Sequence, residues 1–152
     1  MLKILHNYVH GDVKTQYLLQ HTCMLFLPII NYDGYIAINH AYVKTGVMQE
    51  IRKNQNAYTA QGACDKTSIG VDLNRNYGFK WGNDDAGSSG EANVCGFNYR
   101  GPKAFSEPET AAVKAFVERW HNIKIALNLH TYDNTLNNPF NYDNQGNKLL
   151  RE

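Results

Sequence analysis

The stretch Gly-Val-Asp-Leu-Asn-Arg-Asn-Tyr occupies residues 70–77. It opens on a glycine, carries two apolar residues (Val71 and Leu73) in alternation with polar ones, and ends in a dense polar group. This pattern predicts a short strand that runs out into a loop at Asn74 and Arg75, where ligand-binding side chains often lie. The amide of Asn74 and the planar guanidinium of Arg75 together suit a carboxylate ligand. The competing interpretation is a solvated turn in which Arg75 pairs with a nearby acid.

The composition narrows the classes of function. The chain has 152 residues, enough for one compact domain with a core. Because 15 Lys and Arg residues face 14 Asp and Glu residues without a basic cluster, we expect no nucleic-acid partner. The longest apolar run, residues 24–30, has the length of a strand and is too short to span a membrane. Met1 is not followed by the charged region, apolar core and small-residue cleavage site typical of a signal peptide, so we expect none within these residues.

Two nearly continuous apolar segments, residues 22–30 and 123–130, determine the predicted fold class. Such segments are typical of strands covered on both faces in a largely parallel sheet. Between them, residues 108–121 carry apolar side chains at three- and four-residue steps and predict an amphipathic helix, with Ser106 as its N-cap. We therefore predict an α/β fold in which the two strands are neighbours and the helix packs across them.

The remaining elements are shorter. Residues 1–9 predict a helix that ends or is interrupted at Gly11-Asp12, and residues 31–35 predict a turn. Residues 47–53 predict a helical turn within a longer loop. His6 and His10 share one helical face at a spacing that can bind zinc, but Asn7 stands where the helical zinc-protease motif needs Glu. Two surface histidines are the favoured interpretation.

Several of these motifs resemble the zinc metallocarboxypeptidases of the carboxypeptidase A/B family. The similar phrases are Asn-Arg at 74–75, Tyr-Arg-Gly-Pro-x-Ala-Phe-Ser-Glu-Pro-Glu at 99–109, and His-Thr-Tyr at 130–132. The resemblance implies that Asn74 and Arg75 bind the C-terminal carboxylate of a peptide or protein substrate. It also implies that His130 is a zinc ligand and that Tyr132, after a strained cis bond, lines the substrate cleft.

One position departs from the family pattern. Residues 52–55 read Arg-Lys-Asn-Gln, where family members carry a similar run ending in Arg. That Arg polarises the scissile carbonyl and stabilises the oxyanion. Gln55 can donate a hydrogen bond there but brings no positive charge, which argues against normal turnover.

The family resemblance also bears on the cysteines. Several secreted members carry a disulfide bond across the loop around the Asn-Arg pair, so we predict a Cys64–Cys95 disulfide. Such a bond favours an oxidising location, which for a secreted protein is the extracellular space or a vacuolar lumen. Two free loop thiols in a cytosolic protein remain the alternative, because spacing does not fix connectivity. Cys23 heads an apolar run and is predicted to be a buried, unreactive thiol.

The resemblance implies a carboxypeptidase-like mixed, mostly parallel sheet with helices on both faces, truncated at both ends. Residues 1–152 would form one partial catalytic domain. No His in the chain has Glu three positions later, so of the family's zinc ligands only His130 is expected here. We therefore expect this chain alone to be inactive as a peptidase. The alternatives are a non-catalytic carboxylate- or peptide-binding module and, less favoured, a zinc-dependent amidase or deacylase on a related fold.

Overall fold

A computed structural model describes residues 1–57, 64–130 and 135. The chain divides into two compact units, Met1–Arg119 and Trp120–Glu152. The first contains four helices among its described residues: α1 (Leu2–Val9), α2 (Val13–His21), α3 (Tyr32–Thr45) and α4 (Pro108–Arg119). Single 3₁₀ turns lie at Leu73–Arg75 and at Glu91–Asn93.

The helix predicted over residues 1–9 is confirmed as α1. Gly11 follows it with a φ of 76°, in the left-handed region that favours glycine, so the chain leaves the helical path there. Asp12 then caps α2, because its Oδ1 accepts a hydrogen bond of 2.8 Å from the backbone N of Thr15. The Gly-Asp pair therefore separates two helices.

The turn predicted over residues 31–35 is wrong, because these residues begin α3. Asn31 is the N-cap, and its Oδ1 accepts from the backbone N of Gly34 at 3.0 Å. A Cβ on Gly34 would lie 2.5 Å from the Asn31 side chain, so the cap requires glycine at that position. The helix ends at Gly46, whose φ is 71°. The helical turn predicted over residues 47–53 is also wrong, since these residues are irregular.

The predicted sheet is not confirmed. Residues 22–30 and 123–130 lie in neither a helix nor a strand, and most of them are exposed. Within the part of the chain that the structure describes, strand pairing is limited to one isolated parallel bridge between Ser89 and Tyr99. An apolar segment becomes a strand only when a neighbouring segment accepts and donates its backbone hydrogen bonds.

The helix predicted over residues 108–121 is confirmed, although α4 ends two residues earlier, at Arg119. The prediction of Ser106 as its N-cap is wrong. The backbone N of Ala111 donates to the Glu107 carbonyl at 3.0 Å, which places Glu107 at the cap position. On the predicted apolar stripe, the side chain of Val117 remains 50 % exposed.

The buried centre of the described residues is small and unusually polar. Its apolar members are Ile51, Val71, Leu73 and Tyr99, and its polar or charged members are Lys53, Asn54, Asp72, Asn76, Glu107 and Thr110. Buried polar groups are costly unless they are hydrogen-bonded. The hydrogen bonds of this polar core therefore determine how the 70–77 stretch is held.

The predicted Cys64–Cys95 disulfide is confirmed, with the two Cα atoms 5.3 Å apart. It joins the segment that leads into residues 70–77 to the loop that follows them. The prediction for Cys23 is wrong, since this free thiol is exposed. It lies in the irregular segment after α2, where no described element covers the apolar run.

Candidate carboxylate-binding site

The Asn-Arg pair lies on a 3₁₀ turn, Leu73–Arg75, and not at the end of the predicted short strand. Asp72 caps this turn, because its Oδ1 accepts from the backbone N of Asn74 at 3.0 Å. The backbone N of Arg75 donates to the Asp72 carbonyl at 2.9 Å, and the side chain of Leu73 is buried beneath the turn. The backbone that carries Asn74 and Arg75 is thus fixed on both sides.

The buried carboxylate of Asp72 is paired with Arg52. The Nε of Arg52 lies 2.6 Å from Oδ2 of Asp72, whose side chain is only 2 % exposed. A carboxylate at such a depth needs a cationic or hydrogen-bonding partner, and Asp72 has both. Arg52 also lies over the ring of Phe97, with its Cζ 5.3 Å from the ring centroid. The nearest acid in sequence to Arg75 is therefore already occupied by another arginine.

The guanidinium of Arg75 is held by carbonyl groups. Its Nε donates to the Gly87 carbonyl at 2.6 Å and its Nη1 to the Asn74 carbonyl at 3.1 Å. Among the described residues Arg75 forms no ion pair, in contrast to the alternative of a turn arginine neutralised by an acid. A guanidinium has five N–H groups. Two are used in this way, and the side chain is oriented while Asn74 beside it is exposed.

Asn76, directly after Arg75, connects the turn to the start of α4. Its side chain is fully buried. Its Nδ2 donates to the carbonyls of Arg100 and Lys103 at 2.8 and 3.1 Å, while its Oδ1 accepts from the Thr110 hydroxyl at 2.6 Å. One amide thereby satisfies groups on three segments.

A second buried asparagine holds the beginning of the stretch. The Oδ1 of Asn54 accepts from the backbone N of Val71 at 2.9 Å, and its Nδ2 donates to Oε2 of Glu107 at 2.8 Å. Asn56 donates to the same carboxylate oxygen at 2.7 Å. Glu107 is buried and forms no ion pair within the part of the chain that the structure describes, and its carboxylate is stabilised by amide donors.

Lys53 is almost fully buried, with 2 % of its surface exposed. Its Nζ donates to the carbonyls of Ser68 and Val94 at 2.5 and 3.0 Å. Desolvation lowers the pKa of Lys53, while the charge of Asp72 opposes that shift. The ammonium lies beside the disulfide loop, since Val94 precedes Cys95 in the sequence.

Gln55 lies next to the start of the stretch. A Cβ added to Gly70, whose φ is 91°, would approach the backbone N of Gln55 to 2.6 Å, so the two segments are in close contact. Gln55 itself has a φ of 64°, which is uncommon for a residue other than glycine. Its Nε2 is buried and has no hydrogen-bond partner among the described residues. A buried, unpartnered donor is costly and marks a place where a ligand oxygen could bind.

The remaining predicted site residues belong to the second unit. His130 is exposed. Tyr132 and the Thr131–Tyr132 bond lie outside the described residues. The ligand role of His130 stays a prediction.

The described residues do not fit a catalytic zinc. Three protein ligands are needed, and residues 1–57, 64–130 and 135 contain no group of three His, Cys, Asp or Glu side chains placed to hold a metal ion. The same part of the chain has no helix with the length and hydrophobicity of a membrane span.

Comparison with known proteins assigns the chain to a family. The sequence profile of the zinc carboxypeptidases matches residues 1–151, almost the entire chain. The chain belongs to the zinc carboxypeptidase family. Its relatives include carboxypeptidase O of Bos taurus, which is 32% identical over 141 residues, covering 92% of this chain and 33% of that protein.

Two further relatives also match this chain over only part of their own length. Mast cell carboxypeptidase A of Rattus norvegicus is 35% identical over 138 residues, or 90% of this chain and 29% of that protein. Zinc carboxypeptidase A 1 of Drosophila melanogaster is 36% identical over 117 residues, or 76% of this chain and 23% of that protein. This zinc carboxypeptidase sequence therefore spans about a third or less of the length of the relatives named here.

Sequence reasoning missed the residues that support the site in this zinc carboxypeptidase chain. Asp72, Asn76, Asn54 and Glu107 are buried and hydrogen-bonded around the Asn-Arg turn. Asp72 carries one local signal, since an Asp two residues before a turn amide is a common cap. The other three act across long sequence separations, and nothing in the local pattern indicates their partners.

Proposed function

We propose that this chain is the interior part of a zinc carboxypeptidase catalytic domain, and that Asn74 and Arg75 bind the C-terminal carboxylate of a peptide substrate. The parent reaction is hydrolysis of the last peptide bond. The chain spans 23 to 33% of the three relatives compared, so the activity of the whole protein is part of the proposal.

A single observation supports the proposal: hydrogen bonds hold the backbone of the turn, while the Asn74 side chain is exposed and Arg75 forms no ion pair among the described residues. The buried Asp72 fixes the backbone, and the carbonyl of Gly87 orients Arg75 without neutralising its charge. A substrate carboxylate would accept hydrogen bonds from the guanidinium and from the Asn74 amide. Hydrogen bonds to charged groups contribute about 1.5–3 kcal/mol each, enough to distinguish a free C-terminus from a blocked one.

The test is the binding of short peptides to the 152-residue chain, followed by NMR or calorimetry. Each peptide is used with a free C-terminal carboxylate and as its C-terminal amide. We expect the free acid to bind more tightly, and Arg75→Ala to remove about tenfold or more of that preference. Arg75→Lys keeps the charge but not the two-pronged geometry and should recover only part of it. Arg119→Ala removes the same charge at the end of α4 and serves as the matched control. Equal binding of acid and amide would contradict the proposal.

We further expect no chelator-sensitive release of C-terminal residues by this chain alone. His130 supplies one of the three ligands that a catalytic zinc needs. The measurement is hydrolysis of an N-blocked dipeptide with and without a chelator, at several zinc concentrations. Zinc-dependent turnover that is lost in Arg75→Ala would show that the chain forms a complete active centre.

The second candidate is a non-catalytic module that binds peptide carboxylates. Gln55 favours it, because the buried Nε2 offers a hydrogen-bond donor but no charge where family members carry Arg. The transcript sequence that flanks residues 1 and 152 distinguishes the candidates. A His-x-x-Glu motif upstream and a Glu-bearing strand downstream would support the peptidase, and their absence from the full protein would support the binding module.

Two further features complete the proposal. The Cys64–Cys95 disulfide supports an oxidising compartment, such as the extracellular space or a vacuolar lumen. The apolar segments at residues 22–30 and 123–130 are proposed to pair within a mixed, mostly parallel sheet of the whole catalytic domain, because both have the composition of doubly covered strands.

A further inference from the structure

His6 and His10 form a stacked pair at the C-terminal end of α1. The two ring centroids lie 4.0 Å apart, and the ring planes differ by 30°. Both side chains are exposed, so neither imidazole is used in the core. Residues four apart on a helix lie one above the other on the same face. Two ring nitrogens from such a pair can reach a common ion.

The tautomer of neutral His10 follows from its contact with the backbone. Its Nδ1 lies 2.8 Å from the carbonyl oxygen of His6. A carbonyl oxygen only accepts hydrogen bonds, so Nδ1 must carry the proton in this contact. The lone pair of neutral His10 is then on Nε2. Metal-binding histidines are commonly oriented in this way, with the second ring nitrogen donating to a carbonyl or carboxylate.

We propose that His6 and His10 bind one divalent late first-row transition ion, with water in the remaining positions. Two nitrogen ligands at about 2.0–2.1 Å from one ion lie about 3 Å apart. The two rings are 4.0 Å apart and exposed, so rotation of the side chains can turn one nitrogen of each ring towards a common ion. Imidazole ligands suit Cu²⁺, Ni²⁺ and Zn²⁺, and the affinity should be highest for Cu²⁺. The site is independent of His130 and of the proposed peptidase function.

Binding should also stabilise α1. The helix ends at Val9, and His10 is its C-cap residue. An ion held by both rings connects the last helical turn to the residue after it, so it should favour the helical conformation over a frayed end. This gives a readout that does not depend on enzymatic activity.

The next helix, α2, contains a matched control for this site. Tyr17 and His21 on α2 stack at 4.1 Å, and Nδ1 of His21 lies 2.7 Å from the Tyr17 carbonyl. The local geometry is nearly the same as that of the proposed site, but only one imidazole is present. His21→Ala therefore removes an exposed, carbonyl-bonded histidine without removing a proposed ligand pair.

The experiment titrates Cu²⁺ and, separately, Zn²⁺ into the 152-residue chain by calorimetry, with His6→Ala, His10→Ala, His21→Ala and His130→Ala in parallel. His6→Ala is the sharper variant, because it keeps the backbone carbonyl that orients His10. We expect one ion per chain at this site, a loss of at least about tenfold in affinity for His6→Ala and His10→Ala, and less than twofold for the other two variants.

A second measurement follows helicity by circular dichroism during heating, with and without Cu²⁺. The midpoint should rise with the ion in the wild type and in His21→Ala, and the rise should shrink in His6→Ala. Unchanged affinity in His6→Ala, or loss of the ion in His130→Ala but not in His6→Ala, would overturn the proposal. Because both rings are exposed, these substitutions are not expected to prevent folding.

Discussion

Replacement of Asn76 by alanine should destabilise the fold strongly, although the residue lies beside an exposed turn. The side chain is fully buried. Alanine leaves the backbone N–H of Glu107 without its 3.3 Å acceptor and the hydroxyl of Thr110 without its 2.6 Å acceptor. The Lys103 carbonyl loses a 3.1 Å donor but keeps the backbone N of Ser106 at 3.2 Å. The Arg100 carbonyl keeps one partner, because the indole Nε1 of Trp81 also donates to it at 3.1 Å.

The magnitude follows from counting the groups left unpaired. Each buried donor or acceptor without a partner costs about 1–3 kcal/mol, and the vacated space adds to this. The Thr110 hydroxyl keeps a bond to the Glu107 carbonyl at 3.0 Å, which reduces its share. We expect a loss of about 3 kcal/mol in the free energy of unfolding, near the upper end of ordinary single substitutions.

The assay is urea unfolding, followed by Trp81 fluorescence in a Trp120→Phe background, because Trp81 shares a carbonyl acceptor with Asn76. Asn74→Ala, two residues earlier on the exposed side of the same turn, is the matched control. It should change the free energy of unfolding by no more than about 0.5 kcal/mol. A loss below about 1 kcal/mol for Asn76→Ala would refute the assignment of Asn76 as the connection between the turn and α4.

Three further predictions concern the disulfide loop and the free thiol. Thiol labelling of the native protein without reductant should modify Cys23 alone, whereas labelling after unfolding in reductant should modify all three cysteines; native labelling of all three would contradict the bridge. Replacement of both Cys64 and Cys95 by serine should lower the free energy of unfolding by about 3–4 kcal/mol, measured by urea unfolding, because the two residues close a loop with a sequence separation of 31. Hydrogen bonds, first from the hydroxyl of Thr67, lower the pKa of Asp65 to about 2 from 3.8. A carboxylate with a lowered pKa stabilises the fold above pH 4, and this stabilisation is lost as the pH falls towards 2. Asp65→Asn should therefore lose less stability than the wild type between pH 4 and pH 2. Equal losses in the two proteins would contradict the pKa shift.

Patterns of neighbouring residues predict those elements whose hydrogen bonds join residues close in the sequence, such as helices. The 1–9 and 108–121 helices follow from apolar periodicity, and both are present as α1 and α4. The sequence around Asn31 predicts a turn and not the helix cap that forms there, because Asn, Asp and Gly are common both in turns and at helix starts. Which of the two forms depends on whether the following residues continue as a helix, and here they do, to Thr45.

The parts that could not be predicted depend on distant partners. The sequence draws attention to the Asn-Arg turn but not to its polar support, because Asn54 and Glu107 are 53 positions apart. The predicted strands rest on composition alone, and a strand exists only with a hydrogen-bonded neighbour. The prediction that Cys23 is buried also rests on composition, namely on the apolar run that it heads. Cys23 is exposed because no described element packs over that run.

The consecutive residues Lys53 and Asn54 also set the order in which the chain can fold during synthesis. Lys53 is bonded to the Val94 carbonyl 41 residues later, and Asn54 to the Glu107 carboxylate 53 residues later. At about 5–20 residues per second, the ribosome adds Glu107 about 3–10 s after Asn54. Until then both side chains must remain hydrated, since burying either alone is costly. The Asn-Arg turn, although translated earlier, is therefore completed only after the start of α4 has left the exit tunnel.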